Sequence, residues 1–360
     1  MSQGQSSTMP PRSTMRGSKP PKRPKPKKRK SKLKVFFITL FFLLLGLMLA
    51  IAGWLSYLLL KTDEAFDTIS IVDETIVTPV PVKESVKKKP VSMVIMGIDS
   101  RSGGGGLNTD VLMVASFDPE SKSASIVSIP RDTLIEVDGY RGRKANRFYA
   151  DFFMAARNEG KDKEEAAIAA KEEFRNVLGK LFGIDVKYAT LVNFKGFEDT
   201  VDLLGGIDVY VDMRMKYTDS HDGTNIDLQK GEQKLDGKQT LDFVRYRQSN
   251  DGTNMSSDFD RNRRQSEVVG ALVDKLMTVG GVSKIGSIIE KMSENVQTDM
   301  PEKEISRMIN TYLGIKSSDL TFMPLEGNWK SPFVYINEES LQKARNELQA
   351  KMGMPVDAAE

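Results

Sequence analysis

Apolar residues recur along the chain with different spacings, and each spacing predicts a different kind of element. The longest unbroken run is "VFFITLFFLLLGLMLAIAGWLSYLLL", Val35 to Leu60, 26 residues without a charge. At about 1.5 Å rise per residue it spans a hydrocarbon core of roughly 30 Å with some tilt, which predicts a transmembrane helix. Short apolar runs that end at Gly, Asp or Pro predict strands instead. These are "VSMVIMGID" (91–99), then "DVLMVASFD" (110–118) and "SASIVSIPRD" (123–132), the last two joined as a hairpin by "PESK". The 3.6-residue spacing of 161–183 predicts a helix stopped by Gly183. A strand at 186–194, a helix at 195–204 and a strand at 205–212 follow. Next come a short helix feeding a strand (236–247), a long helix (261–278), short strands near 320–335 and a last helix at 338–351. Alternating strands and helices predict an α/β fold, an α-β-α sandwich around a mixed central β-sheet, preceded by one N-terminal transmembrane helix.

Composition divides the chain further. Residues 1–34 hold twelve Lys and Arg and no acid, which leaves 40 basic and 49 acidic side chains for the rest. A basic tail rich in Pro and Ser cannot build a core and is expected to be disordered. Positive charge ahead of the apolar run places the N-terminus in the cytoplasm and the body outside the cell membrane. "AIA" at 50–52 resembles a signal-peptide cleavage site, but the run continues past it to Leu60, which favours an uncleaved anchor. The expected order is a cytoplasmic tail (1–34), a transmembrane helix (35–60), an extracellular stalk (61–90), a catalytic domain (91–352) and a C-terminal tail (353–360). With no cysteine, thiol nucleophiles, zinc–cysteine sites and disulfides are excluded together.

Candidate chemistry begins with arginine. Five arginines and no lysine lie between Val244 and Gln265. Strand alternation in "FVRYR" would send Arg245 and Arg247 to one side. Extending the apolar stripe of the next helix backwards reaches Gln265, Arg264 and Arg261 at its N-terminal turn, where free backbone N–H groups favour an anion. Arg263 falls on the opposite, solvated side. One reading is a set of structural ion pairs to Asp242, Asp258 and Asp260. The other is a site for a planar multi-oxygen anion such as phosphate, which the choice of arginine over lysine favours. Nucleic acid fits poorly with an acidic, exported body.

An acidic half accompanies it. "MGIDSRSGGGG" puts Asp99 and Arg101 at the end of the first strand, and Asp110 opens the next. Two carboxylates at strand ends suit either loop capping or a shared magnesium ion completed by phosphate oxygens and water. Arg131 follows a strand directly, and Lys144 lies among other cations in "RGRKANRFYA". His221, the only histidine, falls in a polar turn-rich segment and reads as solvated; "KKKP" (87–90) reads as stalk beside lipid headgroups.

"MGIDSR", "TDVLMVASFDPESKSASIVSIPRD", "RKANRFYA", "VNFKGFEDTVDLLGGIDVYV", "KGEQKLDGKQTLDFVRYR" and "DFDRNRRQSEVV", in that order, resemble the LytR-CpsA-Psr family of bacterial envelope proteins over roughly residues 91–270. The resemblance implies a magnesium-dependent phosphotransferase in the cell membrane that moves a glycopolymer, of wall teichoic acid or capsular type, from undecaprenyl diphosphate to peptidoglycan. It implies metal carboxylates at Asp99 and Asp110 and diphosphate contacts from Arg131, Arg245, Arg247, Arg261 and Gln265, with Arg264 beside them and Arg101 and Lys144 nearby. Asp258 would orient the arginines, and Asp99 would assist deprotonation of the acceptor hydroxyl. The chain departs from the family pattern at Asn108, where an arginine is common, at Asp260, where glycine is usual, and at Arg147, which replaces a common histidine. The same site could serve a polyprenyl diphosphate hydrolase or a non-catalytic lipid-diphosphate-binding regulator.

Overall fold

The computed structural model describes residues 80–99, 106–220, 223–282 and 284–355, and every structural statement below concerns these. All belong to the unit Ser56–Glu360, one of the two into which the chain divides. The basic tail, the apolar run 35–60, most of the expected stalk, Arg101, His221 and residues 356–360 lie outside the described residues. Among the described residues no helix is long and apolar enough to cross a membrane.

Strands β1 (Val91–Ile98), β2 (Thr109–Asp118) and β3 (Ser123–Ser128) form an antiparallel meander. The expected hairpin at "PESK" closes because Asp118 accepts from the N–H groups of Glu120 (3.0 Å) and Ser121 (3.2 Å). A small pair, β4 (Leu134–Ile135) and β5 (Arg143–Lys144), leads into α1 (Phe148–Asn158) and α2 (Lys163–Phe182). A capping box between Asp162 and Glu165 starts α2, and Gly183, at φ 67°, stops it where the sequence predicts. Strand β6 (Tyr188–Asn193) returns parallel to β1. Then come α3 (Phe194–Leu204) and the strands β7 (Ile207–Val211), β8 (Met215–Asp219), β9 (Thr224–Leu228) and β10 (Gly231–Leu235). The second half holds α4 (Gly237–Arg245), α5 (Asp258–Leu276), α6 (Val279–Val282), α7 (Ile285–Met292), β11 (Val296–Thr298) and α8 (Glu302–Tyr312). It ends with β12 (Leu320–Pro324), β13 (Gly327–Lys330), β14 (Phe333–Ile336) and α9 (Glu338–Lys351).

The central sheet runs β11-β6-β1-β2-β3-β12 and mixes parallel with antiparallel pairs, as expected. Strand alternation sends Val94, Met96, Leu112, Val114 and Val127 to one face, against Phe148, Phe174, Leu178 and Leu348 of α1, α2 and α9. The other face carries Met113, Ala115 and Ile126 against Val269 of α5. A second core, built from β7, β8, β9 and β10 with α3, α4 and α5, packs Val209, Met215, Ile226, Leu241, Phe243 and Val268 together. The hairpin β8–β9 and helix α1 were not foreseen. In "MKYTD" only Met215 is buried, and in "TNIDL" only Ile226 and Leu228, too few apolar positions for a strand signal.

Residues 80–90, expected in the stalk, pack on this body. Val86 is buried beside Val91 and Tyr188, its N–H donates to Glu304 Oε2 (2.9 Å), and Arg307 Nη1 donates to the Val80 carbonyl (2.9 Å).

Candidate functional site

The site begins at a defect in the sheet. Along the β1–β2 ladder Gly97 faces Val111 but Ile98 faces Thr109, so Asp110 is the extra residue of a β-bulge. A bulge re-aims its side chain, and here it turns the carboxylate into a cleft. Gly97 permits the close approach, since a Cβ there would lie 3.0 Å from the Val111 Cβ.

Arg131 follows the end of β3 and donates from Nη1 to Asp110 Oδ1 (2.8 Å). Its neighbour Asp132 accepts from Lys144 Nζ (2.8 Å), which the β4–β5 pairing brings alongside, and sits 3.5 Å from Arg131 Nε. Helix α4 starts with an Asp236–Gln239 capping box and ends at Arg245, whose guanidinium lies over the Phe194 ring (4.7 Å) and 3.5 Å from Asp99. Arg245 therefore closes a helix and does not belong to a strand, contrary to the expected alternation. Tyr246 (φ −56°, ψ 134°) turns the chain extended and buries its own ring, and this turn delivers Arg247 to the cleft beside Arg245. Ser257 caps α5 in a box with Asp260, which accepts from the Ser257 N–H (2.9 Å) and hydroxyl (2.7 Å). Asp260, where family members usually carry glycine, thus works as a helix cap.

Arg261 and Gln265, one turn apart on α5, face the same cleft. Arg264 does not. It is fully buried and grips Asp212 with Nε and Nη2, both at 3.0 Å, while Nη1 donates to Ser256 Oγ (2.8 Å). Phe243 and Tyr246 lie against its guanidinium. Arg264 was expected among the diphosphate contacts and is instead a structural ion pair, with Asp212 as its partner; Asp242 and Asp260 bond elsewhere. Arg263 is half exposed and shares Asp212 (2.7 Å). Asp242 pairs with Lys238 (2.6 Å).

Asp110, Arg131, Arg245, Arg247, Arg261 and Gln265 thus line one cleft of about 860 Å³. Asp99 joins through Arg245, and Lys144 through Asp132. Arg101 and the Asp258 side chain lie outside the described residues. Asn108 is exposed and outside the lining, and Arg147 pairs with Asp151 (3.3 Å) away from it. The cations oppose one another. Burial, then repulsion from Arg247 and Arg131, pulls Arg261 down to about 10. Arg247 is lowered by burial and then by Arg131. Such a cleft favours a multiply charged anion, which would remove the repulsion.

Among the described residues no group of three or more His, Cys, Asp or Glu is placed to hold a metal. Asp99, directly after β1, and Asp110, in β2, offer carboxylate oxygens at one corner of the sheet, with Asp132 also in the cleft wall. Two carboxylates completed by substrate phosphate and water fit magnesium.

The LytR_cpsA_psr family model matches residues 61–352. The chain belongs to that family. It is 30% identical over 324 residues to the polyisoprenyl-teichoic acid–peptidoglycan teichoic acid transferase TagV of Bacillus subtilis (strain 168), covering 87% of this chain and 78% of the relative. The crystal structure of B. subtilis TagV matches with a TM-score of 0.57 at 28% identity, over 75% of this chain and 100% of that one. TagT bound to LIIa-WTA shares the fold, with a TM-score of 0.54 at 23% identity over 77% of this chain and all of that one.

Two residues of this LytR_cpsA_psr chain escaped sequence reasoning. Asp132 lines the cleft and ties Lys144 to it; its position directly after Arg131 in "SIPRD" was the available signal. Asp212 closes "GGIDVYVD", and nothing local marks it as the partner of an arginine 52 residues away.

Proposed function

We propose that this chain is a membrane-anchored phosphotransferase that moves an anionic glycopolymer from undecaprenyl diphosphate to peptidoglycan on the outer side of the cell membrane. The observation that carries the reading is the convergence of Arg131, Arg245, Arg247 and Arg261 with Asp110 in one cleft. Four guanidinium forks match the many oxygens of a diphosphate better than those of a single carboxylate or phosphate. The name borne by TagV supports the reaction class, the TagT complex supports a polymer-linked ligand, and the uncharged run 35–60 supports the anchor.

In this reading an acceptor hydroxyl oxygen of peptidoglycan attacks the phosphorus that bears the polymer. The bond from that phosphorus to the bridging oxygen breaks, and undecaprenyl phosphate leaves with the electron pair. Arg131, Arg247 and Arg261 neutralise the charge gathering on the transferred group, and Gln265 donates to its oxygens. Arg245, held between Phe194 and Asp99, fixes the opposite side of the diphosphate. Asp99 would assist removal of the hydroxyl proton. Asp99 and Asp110 would hold magnesium, which supplies further neutralisation when bound.

The test incubates the full-length chain in detergent with lipid-linked polymer and peptidoglycan fragments. Polymer attached to peptidoglycan is the expected product. Free polymer released without attachment would make the chain a hydrolase, and donor binding without turnover would make it a binding protein.

A further inference from the structure

Among the described residues, the large apolar side chains most open to water are Met255 (70% exposed) and Trp329 (58%), and both line the arginine cleft. An exposed indole loses the burial that normally stabilises it, so its position calls for a partner. The fold holds Trp329 there deliberately. In the β13–β14 hairpin Trp329 faces Val334, and both turn to the cleft. Val334 in turn donates its N–H to the Asp132 carbonyl (2.9 Å) and bridges to Thr133. The backbone that carries Arg131 and Asp132 therefore also positions the indole. Tyr217, Asp219 and Thr224 of the β8–β9 hairpin line the same cleft and give it polar groups as well.

We propose that Trp329 forms a pyranose-binding subsite at the lip of the cleft, stacking its indole on a sugar ring next to the phosphate-binding arginines. A flat apolar plate in a cleft that also presents hydroxyl and carboxylate groups matches a sugar, which has an apolar C–H face and a polar rim. A bilayer contact is disfavoured, because the cleft that Trp329 lines also presents Arg131, Asp132, Asp219 and Thr224, where a membrane would require continuous apolar surface. The inference deepens the transferase reading and rests on it for the identity of the sugar. That ring belongs either to the acceptor glycan or to the first sugars of the donor.

The chain has two tryptophans, Trp54 in the apolar run and Trp329. In a full-length Trp54→Phe chain in zwitterionic nanodiscs, the indole emission reports Trp329 alone. Peptidoglycan glycan fragments or lipid-linked polymer, added separately, should protect it from acrylamide quenching, and the arm that protects names the source of the sugar. Trp329→Ala should raise KM for that same component roughly five- to tenfold, more than it lowers kcat, while Trp329→Phe restores most of the affinity. Protection by neither glycan overturns the proposal. So does an indole already shielded by the nanodisc before any glycan is added. Loss of transfer with glycan protection intact would count against the transferase reading and leave this subsite standing.

Discussion

Arg264 holds Asp212 through two hydrogen bonds of 3.0 Å across 52 residues of sequence, in full burial, while Arg261 one turn earlier faces the open cleft. The two arginines sit three residues apart on one helix and do opposite things. Substituting each by Met separates the roles. Arg264→Met leaves Asp212 with only the half-exposed Arg263 and removes a cation packed on two rings, so unfolding free energy should fall by about 2–3 kcal/mol. Arg261→Met relieves repulsion from Arg247 and Arg131, so thermal stability should hold or rise while donor binding is lost. Denaturant unfolding and a donor-binding titration on both variants check the pair of outcomes.

That contrast shows where the sequence was legible. Helical periodicity puts residues 261 and 265 about 40° apart around α5, and 264 about 60° to the other side, so a shared stripe could not tell cleft from core. What decides is Asp212 at the end of β7, and tertiary partners leave no periodic trace. Arg245 and Arg247 reach the cleft as expected, but through a helix end and the extended Tyr246. The residue types were informative and the local conformation was not. The main elements, from the "PESK" hairpin to the last helix, followed from apolar runs with clear stop signals. The β8–β9 hairpin buries too little to announce itself and became a wall of the site.

Asp110→Asn tests the acidic corner. The substitution removes the carboxylate that Arg131 holds and half of the proposed magnesium pair, but the side chain is about a quarter exposed and sits at a bulge. Folding stability should change by less than about 1 kcal/mol. Transfer should fall on the order of a hundredfold, with a raised magnesium requirement, and chelation should abolish it in the parent chain. A magnesium titration of turnover in both proteins reads this out. Unchanged magnesium dependence in Asp110→Asn would remove this carboxylate from the metal site.

Lys171, fully buried in α2, has an Nζ without a hydrogen bond. Burial pulls it down to about 8, with Asp299 opposing and Arg175 adding to the shift. Its folded value therefore lies below the unfolded one, near 10.5. Between those values the unfolded chain binds more protons, so this group's contribution to stability is poorest below about pH 8 and recovers as pH rises towards 10.5. Lys171→Met should stabilise the protein at pH 7 by up to about 3 kcal/mol, roughly 5 °C or more, with the advantage shrinking towards pH 10. Melting curves of both proteins at pH 7, 8.5 and 10 give the difference directly, and a gap that widens with pH would contradict the assignment.

Gly237, the first residue of α4, sets the helix that delivers Arg245. Its N–H donates to Asp202 Oδ1 (2.7 Å), and a Cβ there would run into the backbone carbonyl of Glu198 in α3. Backbone on both sides leaves no flexible group to yield, so Gly237→Ala must push α4 away from α3. That movement opens the stacking of Arg245 on Phe194, which joins the same two helices. The expected loss is about 1–3 kcal/mol in stability together with weakened donor binding. Gly205 provides the control. It caps α3 at φ 81° with nothing near a would-be Cβ, so Gly205→Ala strains the backbone by about 1 kcal/mol without shifting the helices against each other. Equal stability loss in the two variants with donor affinity reduced only in Gly237→Ala would establish that α3–α4 contact positions the arginines; equal affinity in both would show that the cleft tolerates the displacement.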